Sequence, residues 1–381
     1  MTTAIKYRFW VLWLTIWIVF GCPQWASGTN TTDALRTQWH GYFKLDLAYD
    51  YAHSSHGNFI MYVRPYPQGQ PTSTINLTAR QTRLGLQVEK EHTSGQFEID
   101  FYGGGPENKN LILLRKAYVD LTLGSFMIRA GQASDLISPL SPSTLNYTVG
   151  WGAGNIGYRR PQIQIASQLD QMFLGIAFAR NISTDLNGDS VLDGEASCIP
   201  VIQARLAYPV THSKHSLTLG ASAHYGLMNS PGAPKEDYNT WSLTGDLKMQ
   251  ITPKLALLGE YYTGANTGAY FGAILNGDCV EDLKSHGGWA NLQYQLSNRF
   301  TFSTGGGQDA LTNTHNTSLA HGQNIRSKNT FLFGNVTYQI YSGVTTGLEI
   351  SSWQTTYFNA SLTNDSAPKN IRVQWSLQSN F

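Results

Sequence analysis

Phe43-Lys44-Leu45-Asp46-Leu47-Ala48-Tyr49-Asp50-Tyr51 changes character at every step. Successive side chains of an extended strand face opposite sides, so Phe43, Leu45, Leu47, Tyr49 and Tyr51 share one face and Lys44, Asp46, Ala48 and Asp50 the other. A helix would scatter the same polar residues around its circumference. The period recurs mid-chain, where Trp241, Leu243, Gly245, Leu247, Met249 and Ile251 alternate with Ser242, Thr244, Asp246, Lys248 and Gln250. It returns once more where Ile371, Val373, Trp375, Leu377 and Phe381 stand against Arg372, Gln374, Ser376, Gln378 and Asn380, with Ser379 alone breaking the apolar face.

Followed outward, this period predicts roughly sixteen strands of about 9–14 residues, the length that a tilted transmembrane strand requires. They start near residues 39, 76, 96, 111, 125, 158, 170, 200, 215, 238, 254, 287, 299, 328, 342 and 369. The strands near 254 and 299 alternate least cleanly. Short connections such as Thr93-Ser94-Gly95 and Thr252-Pro253 alternate with long ones such as 181–197 and 308–327. The expectation is all-β: one domain, residues 39–381, forming a transmembrane antiparallel up-and-down β-barrel of about 16 strands.

Composition agrees. Charged residues make up 13% of the 381, against roughly 25% in soluble domains. No segment after the first 28 residues holds the 18 or more apolar residues of a membrane helix. At the start, Lys6 and Arg8 precede an apolar run from Phe9 to Gly21 that is too short to span a bilayer and is followed by Ala26-Ser27-Gly28. This is the pattern of a secretory signal peptide over residues 1–28, with 29–38 as a short periplasmic linker. A lipoprotein signal at Cys22 is the rival reading, and Phe20 fits it poorly. Without Lys6 and Arg8 the balance is 24 basic against 25 acidic residues, which gives no reason to expect a nucleic-acid partner. An exported barrel of this kind is expected in the bacterial outer membrane, with lipid and lipopolysaccharide around it.

Gly41-Tyr42-Phe43-Lys44-Leu45-Asp46-Leu47-Ala48-Tyr49-Asp50 resembles the opening strand of the DcaP-like outer-membrane porins, and Ala79-Arg80-Gln81-Thr82-Arg83-Leu84-Gly85-Leu86 resembles their second. Leu114 to Leu121, Arg129-Ala130-Gly131-Gln132 and Arg160-Pro161-Gln162-Ile163 continue the likeness in order, so it covers about residues 41–165. It implies a sixteen-stranded trimeric channel for small anionic solutes of the dicarboxylate type. The family often carries a helical periplasmic extension for which residues 29–38 leave no room, so the expected homotrimer would form barrel to barrel. Phe381, on the apolar face, resembles the terminal aromatic by which bacterial barrels engage their assembly machinery.

Residues 133–158 are long, rich in Gly, Pro and Ser, and charged only at Asp135, which makes them the candidate inward-folding constriction loop; an ordinary external loop is the alternative. Strand phase places Arg83, Lys116, Arg129 and Arg160 toward the lumen, where basic side chains at a constriction favour anions. The same phase places Asp46, Glu98, Asp100 and Asp120 inside. Cys198 and Cys279 are the two cysteines beyond the signal segment, and in an oxidising compartment they are expected to pair. Asp185, Asn187, Asp189 and Asp193 sit at positions 1, 3, 5 and 9 of a calcium-type loop, although Ser190 replaces the usual Gly and Ala196 the closing Glu. No other cofactor is expected. The ten His, among them His53, His56, His212, His315 and His321 in loops and His224 in a strand, form no nucleophile–base spacing, so no enzyme is expected. A passive channel is the leading reading, and a closed barrel acting as a surface structural or adhesion platform is the second.

Overall fold

The computed structural model describes residues 34–104, 110–212, 215–232, 236–280, 282–312, 325–358 and 367–381. The expected signal peptide lies outside them, as do residues 29–33 of the expected linker, and the first strand begins at Arg36, three residues before the expected start of the barrel. Among the described residues seventeen extended segments follow in chain order. They are β1 Arg36–Asp50, β2 Thr74–Thr78, β3 Arg83–Lys90, β4 Thr93–Asp100, β5 Leu113–Leu123, β6 Phe126–Ser134, β7 Arg159–Leu169, β8 Met172–Ala179 and β9 Val201–His212. Then come β10 His215–Asn229, β11 Asp237–Thr252, β12 Leu255–Ala265, β13 Lys284–Gln295, β14 Phe300–Leu311, β15 Ile325–Tyr341, β16 Val344–Phe358 and β17 Lys369–Asn380.

Consecutive segments from β3 onward pair antiparallel, and β17 pairs back onto β1 from Tyr42–Asn380 to Asp50–Arg372. β2 and β3 both pair with β1, so they form one wall position interrupted at residues 79–82. The result is a closed barrel of sixteen strands. At the interruption Thr82 N donates to Ala79 O, and Arg80 Nε donates to Phe101 O at 3.0 Å.

The wall has the reverse of a soluble protein's polarity. Lys44, Asp46, Asp50, Gln162, Gln164, Gln203, Ser242, Thr244 and Asp246 are buried on its inner side, while Leu47, Leu77, Val119, Ile163, Leu206, Leu243, Leu332 and Ile350 are exposed on its outer side. Such a face is stable only against hydrocarbon, and closure leaves no strand edge in it. Exposed aromatics cluster near the short connections (Trp39, Phe126, Tyr208, Phe300, Tyr341) and toward the other end (Tyr49, Tyr51, Tyr225, Tyr261), as interfacial girdles do. All long connections lie at one end, which by the general rule for such barrels is the extracellular one.

The seam is closed at its base by Phe381. Its N–H donates to Gly41 O, its carbonyl accepts from Gly41 N, and its ring lies 5.3 Å from that of Phe43. Phe381→Ala should keep the backbone bonds and lose the ring contact, worth about 1 kcal/mol. A lower urea midpoint of the detergent-folded barrel, with native heat-modifiability on gels retained, is the expected outcome.

Candidate pore-lining site

Register settles which side chains share the lumen. Arg83 opposes Tyr42, Glu98 opposes Gly85 and Lys116, Asp120 opposes Arg129, and Arg160 opposes Ala133. All eight charged residues expected inside therefore face inward. They are not a free ladder, however, since most are locked into ion pairs. Arg129 grips Asp120 with two bonds, of 2.7 and 2.8 Å, and Arg83 lies 3.7 Å from Glu98. Lys44 stands 3.3 Å from Asp46. Arg160 corrects the expectation most. It is fully buried, paired with Asp135 at 2.8 Å and stacked 3.8 Å over the Tyr270 ring, so it anchors a loop and offers no surface to a solute.

Arg115 is the lumen cation that strict alternation hides. The β4–β5 register shifts between Glu98 and Ile99, and this bulge turns Arg115 and Lys116 to the same side. Arg115 Nε then donates to Glu98 Oε1 at 2.8 Å, and Nη1 to Asp100 Oδ2 at 2.5 Å. A carboxylate-rich partner strand beside consecutive cations was the available sequence signal, but a bulge has no mark in the period itself.

The long segment after β6 is bound to inward side chains around most of the wall. Leu136 N donates to Gln203 on β9, Leu140 N to Glu260 on β12, Ser143 N to Asn291 on β13, and Leu145 N to Glu349 on β16. Lys44 on β1 and Gln374 on β17 both donate to Leu145 O. Farther along, Gly154 (φ +107°) lies flush with the wall, where an added Cβ would sit 2.2 Å from Gly288 O. Gly307 leaves the same space open from the strand side, since its Cβ would stand 2.4 Å from Ala153 O.

Half-buried rings form a row along this segment and its neighbours. Tyr102 and Tyr147 lie 4.0 Å apart, Tyr147 and Trp151 6.0 Å, Trp151 and Phe271 4.6 Å, and Phe271 and Tyr158 4.7 Å. Arg80 covers Tyr102 and Arg159 covers Tyr158. Burial first, and then the Asp100 carboxylate, raise the Tyr147 phenol above its ordinary range. These rings come from three separate loops, which no local reading of the sequence joins.

The expected Cys198–Cys279 disulfide is not formed. Cys198 is exposed just after the short helical turn Asp193–Ala196, whereas Cys279 is buried against Ala273 and Leu283. Nor do the four expected calcium ligands cluster. Asp185 accepts from Gly188 and Ser190 N–H, Asp189 from Val191 N–H, and Asp193 from Leu186 N–H and the Tyr238 hydroxyl. Among the described residues no group of three or more acidic, His or Cys side chains could hold a metal ion. The loop is instead fastened by Asp278, whose Oδ2 accepts from Thr184 N at 2.7 Å while Thr184 Oγ1 accepts from Asp278 N. Of the His residues, His224 is buried between Ser242 and Thr240 and stacks on Tyr270; His315 and His321 lie outside the described residues.

A closed wall of sixteen strands, polar within and apolar without, with a long loop bound to its inner side chains, is the fold of the bacterial outer-membrane porins. Among solved structures the chain is similar to the outer membrane channel DcaP of Acinetobacter baumannii, with TM-score 0.77 at 16% identity over 93% of this chain and 100% of that one. It is similar also to an anion-selective porin from Comamonas acidovorans (TM-score 0.60, 13% identity, 91% and 100% covered) and to a trimer form of OmpT from Vibrio cholerae (0.55, 12%, 92% and 100%). At these identities the likeness establishes the fold, and it extends well past the residues 41–165 that carry the sequence resemblance. No protein-family model and no curated protein matches the chain.

Two outcomes follow from the loop contacts. Gly154→Ala must push the segment off β13 and β14, so the barrel should fold while single-channel conductance and its noise change. Asp278 is the second case: burial, with a smaller push from Asp193, raises its carboxyl to about 6 against the opposing Thr184 bonds. A raised carboxyl favours the docked loop below the unfolded value of about 3.9, and the advantage is lost as pH rises through about 6. Hydrogen exchange across 183–193, corrected for intrinsic rates, should therefore be slower at pH 5 than at pH 7.5, and Asp278→Asn should abolish the difference.

Proposed function

We propose that this protein is an outer-membrane porin, a passive diffusion channel for small polar solutes that prefers anions of the dicarboxylate type and works as a homotrimer. The observation that carries the charge preference is unequal exposure. Asp46, Glu98, Asp100 and Asp120 are buried against the wall, at 8% exposure or less, while Arg83 beside Glu98, Arg129 beside Asp120, and Lys116 remain half-buried. A solute in the lumen meets guanidinium and ammonium surface first, with the neutralising carboxylates behind it. Water screens charge over about 8 Å at physiological salt, so these cations dominate only where the passage is narrow. The inner-wall contacts of 135–158 support its role as the constriction, and its aromatic row offers flat faces beside the cations.

The triple variant Arg83→Gln, Lys116→Gln, Arg129→Gln, in planar bilayers under asymmetric salt, should move the reversal potential toward cation selectivity by tens of percent of the ideal value. Assembly should persist, because the Arg115 and Arg160 pairs are untouched. An unchanged reversal potential in a conducting variant would place the narrowest point elsewhere. Absence of conductance from the native protein would favour the closed platform, a reading supported by the apolar packing of Ala52, Ile60, Val63 and Ala153 against Phe331, Phe333 and Trp353.

A further inference from the structure

The outer wall of β13–β17 departs from the apolar pattern at its extracellular end. One ladder row reads Gly288, Gln308, Thr330, Gln354, Lys369 across five adjacent strands. The row above it contains His286, Ala310, Lys328 and Thr356. These side chains face outward, in phase with the exposed Leu332 and Ile350, and Lys328, Gln354 and Lys369 are exposed. Gln308, Lys328, Thr330, Ser352, Gln354 and Thr356 enclose a polar hollow of about 330 Å³. Directly below and beside it, Tyr261, Gly288, Ala290, Gly306 and Leu332 line a second groove of about 520 Å³. Its floor is bare backbone, because Gly288 and Gly306 place no side chain between Tyr261 and Leu332.

Charge on this face has one sign. Among the described residues, the outward positions of β13–β17 include Lys284, Lys328 and Lys369, while the only two carboxylates of these strands, Asp309 and Glu349, are buried on the inner side. Neighbouring strands lie about 4.8 Å apart and each residue rises about 3.4 Å, so Lys328 and Lys369, two strands and one row apart, start roughly 12 Å from each other on either side of Gln354. Lysine stems can lie along the wall and bring both ammonium groups to a single anion at the interface. Amide and hydroxyl groups between them supply donors for phosphate or sugar oxygens, and the glycine-floored groove beneath suits an acyl chain.

We infer that this face is a binding site for a phosphorylated glycolipid of the outer leaflet, the lipid A portion of lipopolysaccharide, with a phosphate between Lys328 and Lys369 and an acyl chain over Gly288 and Gly306. The polar hollow takes the headgroup because it lies at the long-loop end of the strands. Lysines near a membrane surface each contribute to anionic lipid attraction, and two of them together are worth about tenfold or more in retention. The site lies on the outside of the wall and is independent of what passes through the lumen.

The test uses detergent-purified full-length protein, with rough-type lipopolysaccharide and its dephosphorylated form as probes, read by native mass spectrometry. The native protein should retain the phosphorylated probe about tenfold more than the dephosphorylated one. The double variant Lys328→Gln, Lys369→Gln should lose that preference, whereas Lys254→Gln, in a turn at the opposite end, should keep it. Single-channel conductance reports that both variants are folded. Equal retention of the two probes by the native protein, or undiminished retention by the double variant, overturns the proposal. Loss of oligomers with lipid retention unchanged would overturn it too, and would assign this face to contact between copies of the chain.

Discussion

Every backbone donor and acceptor that enters hydrocarbon must be satisfied within the protein, at a cost of several kcal/mol for each one left open. The pairing of β1 with β17 meets that constraint, because it removes the two edges that a sheet of this length would otherwise expose. Alternation, the apolar outer belt and the aromatic girdles all presuppose a closed wall. So does the lumen, which exists only because sixteen strands enclose more space than their own side chains fill.

That space is organised by carboxylates. Glu260 and Glu349 take backbone N–H groups of the loop after β6, Asp135 holds Arg160, and Asp50 holds Arg372 at 2.7 Å. Breaking one buried pair of this kind leaves an uncompensated charge and costs about 3–5 kcal/mol, so these inner charges hold position. Arg83, Lys116 and Arg129 keep surface toward the lumen, and the acids that neutralise them are drawn back into the wall. The charged groups that hold the loop are thus separate from those left half-open in the lumen. The outer wall has its own division, with apolar strands below and a lysine-bearing polar face at the extracellular end of β13–β17.

Several departures from the period trace to tertiary demands. The bulge beside Glu98 aims Arg115 inward, and the break at 79–82 frees Arg80 to bind the backbone beyond β4. Of the glycines of β14, which made that strand alternate poorly, Gly305 and Gly307 face inward with Asn291 and Trp289 on β13, and the loop backbone rests on Gly307. A residue chosen to leave room for another segment carries no local signal of what fills the room. The two cysteines failed as a pair for a related reason, since burial of one and exposure of the other depends on loops packed far apart in sequence.

The amino-acid sequence by itself determined the strands, their order and their two faces, because a wall between lipid and water writes a period of two into every segment that crosses it. The strand starts predicted from that period fall within a few residues of those observed, apart from the divided second strand, and the inward phase of Arg83, Lys116, Arg129, Arg160 and their acidic counterparts was legible in the same way. Only the tertiary structure decided which of those charges meet water. Phase names the side of the wall on which a group lies, whereas exposure depends on what folds over it. Arg160 and Arg129 share a phase, yet one is buried beneath a loop against Tyr270 and the other stands half-open in the lumen, because contacts between distant segments have no period to be read.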